Sequence, residues 1–273
     1  MDSTTIPILV ISLDRRPDRW AKFQERAAAA HIDPSRIIRI SAVDAKTLDV
    51  ERHPAVGILA AHNIHYKTRR AHYEIDVPGA IGASLSHFKT WTWIQDSTRD
   101  TNAIIVLEDD TSIPPNFNEG LAKLVADLPP SWDIVSFYNT QFEGGETGCK
   151  AIKGKAPWSA CESLMGAHAY MVSRAGARKL LEKAYPIDIH VDAYIAFMHR
   201  LKYIQMLWHP AIQMPAAADD TDIGHGDTGI LNVPTNMNME GVVALNTMSI
   251  VGIVAMVAIT GGLISLAYGS TRR

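Results

Sequence analysis

Glu108, Asp109 and Asp110 follow directly on the apolar run Asn102-Ala-Ile-Ile-Val-Leu107, so three carboxylates stand where a buried β-strand must end. In open α/β sheets the carboxyl end of such a strand faces the ligand crevice. Clustered carboxylates repel each other and lose hydration there, a cost that a cation or a substrate offsets. Hard oxygen ligands with an open face suit magnesium or manganese carried on a phosphate. The same residues also fit a solvated turn in which an Asp caps the next helix, and both readings stand at this point.

Other residue types point the same way or to a plainer role. Arg15 and Arg19 follow the first apolar strand and could grip a phosphate bidentately, or sit exposed at a helix start. Asp188 and Asp192 precede a helix late in the chain, where a carboxylate acts either as general base or as helix cap. Ser86 and His87 fall inside a helix, so packing competes with function. Asp219-Asp-Thr-Asp-Ile-Gly-His225 is a second group of oxygen and imidazole ligands, or a polar loop. His62, His65, Arg69, Arg70 and His72 form a basic patch, either a solvated face or a meeting place for anions.

The elements that must position these groups alternate. Ile8-Leu-Val-Ile-Ser-Leu13 reads as a strand, and Pro17 opens a helix through Ala30. Arg36-Ile-Ile-Arg-Ile40 is the next strand, and residues 45–77 form an irregular or partly helical excursion. Pro78-Gly-Ala-Ile-Gly82 reads as a turn before a helix that runs to about Gln95. After the acidic strand come a helix over residues 117–128, a strand at Trp132–Tyr138 and a glycine-rich loop at 141–155 able to close over a ligand. Ala167–Val172 is a strand, Ser173 caps a helix to Ala184, and another helix ends near Arg200. Strands alternating with helices predict a mostly parallel α/β sheet with helices on both faces.

The bulk numbers set limits. With 273 residues, 47% of them hydrophobic, one large core is expected. A net charge of −3 argues against a nucleic-acid partner, which calls for a basic surface. Residues 249–268, SIVGIVAMVAITGGLISLAY, carry no charge and match the span of a bilayer, so a transmembrane helix is expected over 247–268, after a 226–246 linker and before a short basic tail, 269–273. The first thirteen residues have no basic n-region, which places the catalytic domain, residues 1–225, on the cytosolic side of a C-terminal anchor. Cys149 and Cys161 read as free thiols in a reducing compartment.

Several segments in one order resemble glycosyltransferase family 25. These are Val10-Ile-Ser-Leu-Asp-Arg-Arg-Pro-Asp-Arg-Trp20, Ala42-Val-Asp44, Gly79-Ala-Ile-Gly-Ala-Ser-Leu-Ser-His87, Ile105-Val-Leu-Glu-Asp-Asp110, Trp132-Asp-Ile-Val135, Tyr170 to Leu181 and Pro186-Ile-Asp188. Two positions depart from the family's pattern, with Ala80 in place of Glu and Ala83 in place of Cys. The resemblance implies a GT-A-type, inverting, metal-dependent transferase of the kind found in lipopolysaccharide biosynthesis, moving galactose or glucose from a UDP-sugar to a glycan, lipid-linked or protein acceptor. It implies nucleotide-sugar contacts at Ser12, Leu13, Arg15, Arg19, Asp44, Ser86, His87, Glu108 and Asp109. It also implies Mn2+ or Mg2+ on Asp110, with Asp222 or His225 completing the shell, and a base at Asp188 or Asp192. The competing expectation is a catalytically weak, membrane-tethered relative with a structural or binding role, for instance in a viral or cell envelope. A two-metal phosphohydrolase would need further carboxylates at other strand ends, and the sequence offers no such set.

Overall fold

A computed structural model describes residues 1–98, 102–138, 149–151, 159–161 and 166–215, all within a compact unit covering residues 1–233. Its strands are β1 (Ile8–Ser12), β2 (Ile37–Ser41), β3 (Ala103–Glu108), β4 (Ile134–Ser136), β5 (Cys149–Ala151), β6 (Ser159–Cys161), β7 (Ala169–Ser173) and β8 (Met206–Trp208). They form one sheet in the order β2-β1-β3-β7-β4-β8-β6-β5. The helices are α1 (Pro17–Ala29), α2 (Ile58–Tyr66), α3 (Pro78–Asp96), α4 (Phe117–Ala126), α5 (Arg174–Glu182) and α6 (Val191–Arg200).

Alternation along the strands divides the core into two layers. Leu9, Ile11, Ile104, Val106, Tyr170 and Val172 point to the layer shared with Trp91, Leu180 and Ile195 of α3, α5 and α6. Ile8, Val10, Ile105, Leu107 and Met171 point to the other, against Phe23 of α1 and Phe117, Leu121 and Leu124 of α4. Both faces are covered, which explains why β1 and β3 are apolar without interruption.

The expected mostly parallel sheet is corrected to a mixed one. β1 pairs parallel with β2 and β3, but β7 inserts antiparallel between β3 and β4. β7 therefore starts where β3 ends, and Glu108 N–H donates to His168 O at 2.8 Å. Hydrophobic pattern identifies a strand but carries no direction, which long-range pairing sets.

Two boundaries also differ. The expected turn at 78–82 is the first turn of α3, because Pro78 occupies N1, where its missing N–H costs nothing. The excursion at 45–77 contains the helix α2, and the 141–155 loop contains β5, whose Cys149 is the register partner of Cys161 on β6. The rest of that loop lies outside the described residues. So does the apolar 249–268 segment; no helix among the described residues is long and apolar enough to cross a membrane.

Candidate active site

The carboxyl ends of β1, β2 and β3 and the start of α3 surround a cavity of about 400 Å³. Ile11, Leu13, Arg15 and Arg19 line it from the first strand and helix, and Ala42 to Lys46 from the segment after β2. Pro78, Gly79, Gly82, Ala83, Ser86 and His87 line it from α3, and Glu108, Asp109 and Asp110 from β3. Of the residues expected at a nucleotide sugar, only Ser12 is absent from the wall; it is buried behind it, against the Asp109 carboxylate.

Each wall has a local reason. Gly82 allows the segment after β2 to approach α3, since a Cβ there would lie 2.7 Å from Val43 O. Ser86 completes that contact: its hydroxyl donates to Gly82 O at 2.6 Å and accepts from Val43 N–H at 2.8 Å. Asp44 is thereby presented to the cavity, where it pairs with Arg15 at 2.7 Å. The first turn of the 19-residue α3 borders the same space, its positive dipole end suited to an anion.

A buried chain of hydrogen bonds fixes His87, which is 1% exposed. Trp91 Nε1–H can only donate, so Tyr170 accepts it at 2.8 Å and passes its own proton to His87 Nδ1 at 3.0 Å. That leaves His87 Nε2–H to donate to Glu108 Oε1 at 3.2 Å. Burial pushes the Glu108 carboxyl up, but the His87 hydrogen bond and the nearby His168 and Arg19 bring it below its ordinary value. The anionic form is thus favoured at the cavity wall.

Arg19 serves the other two carboxylates. Its Nη2 lies 2.6 Å from Asp109 Oδ1 and 2.7 Å from Asp110 Oδ2, with the guanidinium side chain only 8% exposed. One cation between two anions is not enough. Burial, with Arg19 opposing it, raises Asp109 above the usual carboxylate range. Burial and the Glu108 charge push Asp110 up to about 7. Asp110 Oδ1 is buried with no hydrogen-bond partner among the described residues. Arg26, on the same face of α1 two turns after Arg19, donates to Asp109 O at 2.5 Å and Thr111 O at 3.2 Å, locking the acidic turn in place.

The two late aspartates separate. Asp188 is committed to α2: it accepts Ala60 N–H at 3.0 Å, and Gly57 packs so tightly on it that a Cβ would meet its Oδ1 at 2.1 Å. It lines a different, open cavity. Asp192 accepts Gly166 N–H at 3.2 Å, two residues before the His168 whose carbonyl pairs with Glu108, and lines a separate small cavity rather than the one described above. Asp222 and His225 lie outside the described residues. Three members of the basic patch pair with neighbouring carboxylates, Arg69 with Asp76, Arg70 with Glu74 and His65 with Glu51.

Sequence reasoning missed Lys46, the first turn of α3 and the Trp91-Tyr170 support of His87. Arg26 was within reach, since its seven-residue spacing from Arg19 puts both on one helix face. No group of three His, Cys, Asp or Glu side chains among the described residues is placed to hold a metal alone.

Known proteins bear on this geometry. The profile of glycosyltransferase family 25 (LPS biosynthesis protein) matches residues 5–195. A protein named as a glycosyltransferase in Acanthamoeba polyphaga mimivirus is 32% identical over 130 residues, 48% of this chain and 36% of that one. The Bos taurus protein named probable inactive glycosyltransferase 25 family member 3 is 30% identical over 191 residues, 66% of this chain and 30% of its own. Procollagen galactosyltransferase 2 of Homo sapiens is 26% identical over 191 residues, covering 66% of this chain and 29% of its own. The chain thus spans about a third of the length of these relatives. The crystal structure of a galactosyltransferase, LgtC, with donor and acceptor sugar analogs matches at a TM-score of 0.38 and 10% identity, over 74% of this chain and 73% of that one, too loose a likeness to carry weight. With its profile matched from the first strand through the acidic turn to α6, the chain belongs to glycosyltransferase family 25.

Proposed function

We propose that the protein transfers a hexose, galactose or glucose, from a UDP-sugar to a hydroxyl of a glycan, lipid-linked sugar or protein acceptor, with inversion at the anomeric carbon. The observation that carries this is the cavity at the ends of β1, β2 and β3, lined both by the cationic Arg15, Arg19 and Lys46 with the start of α3 and by three carboxylates. A UDP-sugar needs both. Its diphosphate suits the cationic wall and the helix start, while Asp44 and the fixed Glu108 carboxylate suit ribose or sugar hydroxyls. The parallel β2-β1-β3 half with its ligand crevice at the carboxyl ends supports a GT-A-type reading.

A divalent cation, Mn2+ or Mg2+, fits Asp110, whose buried Oδ1 has no hydrogen-bond partner among the described residues. One carboxylate plus phosphate and water oxygens is the way such ions are usually held. When bound it would neutralise the charge that develops on the departing diphosphate. Asp222 and His225 are proposed as further ligands on sequence grounds alone. For the base we choose Asp192 over Asp188, because it binds Gly166, two residues before the His168 that pairs with Glu108. The acceptor oxygen attacks the anomeric carbon as Asp192 takes its proton, the glycosidic bond to phosphate breaks, and UDP leaves with the bonding pair. The 249–268 segment would tether the enzyme to a membrane, with the catalytic unit on the cytosolic side.

The bovine relative named as probable inactive and the Ala80 and Ala83 departures favour a second reading, a tethered binding protein. Full-length protein screened against nucleotide sugars for manganese-dependent release of nucleoside diphosphate separates the two. Release from a UDP-hexose, suppressed by a chelator, is expected. UDP binding without turnover on any donor, with acceptors supplied, would favour the binding protein.

A further inference from the structure

We infer that Arg19 is a stand-in for the cation: it holds the acidic turn together while the cavity is empty and transfers its grip to the donor diphosphate when a divalent ion arrives. This rests on the metal reading above. A metal alone must compete with Arg19, whereas a metal with a diphosphate need not.

The geometry behind this is specific. A single nitrogen, Nη2, lies within 2.7 Å of both Asp109 Oδ1 and Asp110 Oδ2, in the middle of the anionic wall rather than at its edge. Arg26 holds the backbone of the same turn through Asp109 O and Thr111 O, so the turn keeps its place if Arg19 moves. His87 holds Glu108 independently. Arg19 is thus a group that stabilises both aspartate charges, and it is also a cavity-lining residue. An ion bound to Asp110 would share or displace that nitrogen, and two cations on one carboxylate repel. A diphosphate oxygen gives the displaced guanidinium an acceptor of equal charge and matching geometry. Binding of ion and nucleotide is then cooperative because each relieves what the other disturbs.

The inference predicts opposite signs for one substitution. Arg19→Met removes the competitor, so the full-length variant should bind Mn2+ alone about 10-fold or more tighter than wild type in calorimetric titration, the worth of one charge-assisted hydrogen bond. The same variant should bind UDP in saturating Mn2+ at least about 10-fold more weakly, because the phosphate loses its guanidinium. Manganese affinity unchanged or weakened in folded Arg19→Met overturns the inference while leaving the metal reading intact. If wild type binds UDP equally well in manganese and in chelator, the metal reading itself fails and takes the inference with it. Should Arg19→Met not fold, wild type can report directly through the ¹⁵Nε–H signal of Arg19. Magnesium alone should perturb it and magnesium with UDP should move it to a second bound position, whereas a signal indifferent to both refutes the exchange.

Discussion

Asp110→Asn tests the electrostatics of the acidic turn without any assumption about substrate. In the folded, metal-free protein the Asp110 carboxyl is pushed from 3.8 up to about 7 by burial and the Glu108 charge. The sign follows from linkage: a raised folded-state value means the native protein binds the proton more tightly than the unfolded chain, so stability is fullest below pH 4 and is lost as pH climbs towards 7. That interval corresponds to about 4 kcal/mol at 1.36 kcal/mol per pH unit. Partial exposure of the side chain, at 15%, brings this to about 2–4 kcal/mol. Asparagine keeps the shape and is never charged. In chelator, urea unfolding should therefore show Asp110→Asn more stable than wild type by about 1 kcal/mol at pH 5 and about 3 kcal/mol at pH 8. The same variant should lose metal-assisted UDP binding, so stability and function move in opposite directions. A variant that is less stable than wild type at pH 8, or a difference that does not grow between pH 5 and pH 8, refutes the charge assignment.

Four further perturbations probe the walls and the base. Gly82→Ala gains about 1 kcal/mol of helix propensity, but its Cβ meets Val43 O at 2.7 Å, so a net loss of about 1–3 kcal/mol in thermal unfolding and weaker UDP binding are expected; a stabilised variant with normal binding would contradict the close approach. Tyr170→Phe strands the Trp91 indole N–H and His87 Nδ1 in the core and should cost about 2–4 kcal/mol in urea unfolding, while a loss below about 0.5 kcal/mol would remove the hydrogen-bond chain. Asp188→Ala should cost about 1 kcal/mol of stability with turnover retained, as for a helix cap. Asp192→Asn should lower turnover about 100-fold with UDP affinity unchanged. Reversal of the Asp188 and Asp192 results would move the base to Asp188.

What the sequence made legible was whatever depends on near neighbours. β1 and β3 are buried on both faces, so their apolar runs stand out, and a carboxylate trio after β3 is placed by chain order alone. Arg15 could be assigned to the site because it follows a strand end, whereas Asp44 and His87 were assigned to it through the family resemblance. Distant partners were not legible. β7 is antiparallel because of where the chain returns, which no local pattern encodes. Asp188 caps a helix start 128 residues earlier, and Tyr170 supports a histidine 83 residues earlier. β5 and β6, three residues each, carry no periodicity long enough to read.

The distinction between an active transferase and a retired one can be drawn from the same physics. Ala80 is the third residue of α3, buried and absent from the cavity wall, so a Glu in its place would act first on the helix start. Ala83 does line the cavity, where a methyl in place of a thiol leaves more room rather than removing a charge. Neither departure touches the acidic turn. That turn, by contrast, is costly: two buried aspartates share one guanidinium, and a third carboxylate stands beside them. Substituting Asp109 or Asp110, both raised above the usual carboxylate range, would relieve the repulsion and raise the stability of the resting protein at neutral pH. Two aspartates sharing one guanidinium beside a third carboxylate are physically reasonable when a bound ion and diphosphate complete the charge balance during turnover, and they make a poor scaffold without that occupancy. The measured stability gain of Asp110→Asn therefore gauges how strongly the empty site is poised for its ligands, and a gain near zero would leave the binding-protein reading with nothing to explain away.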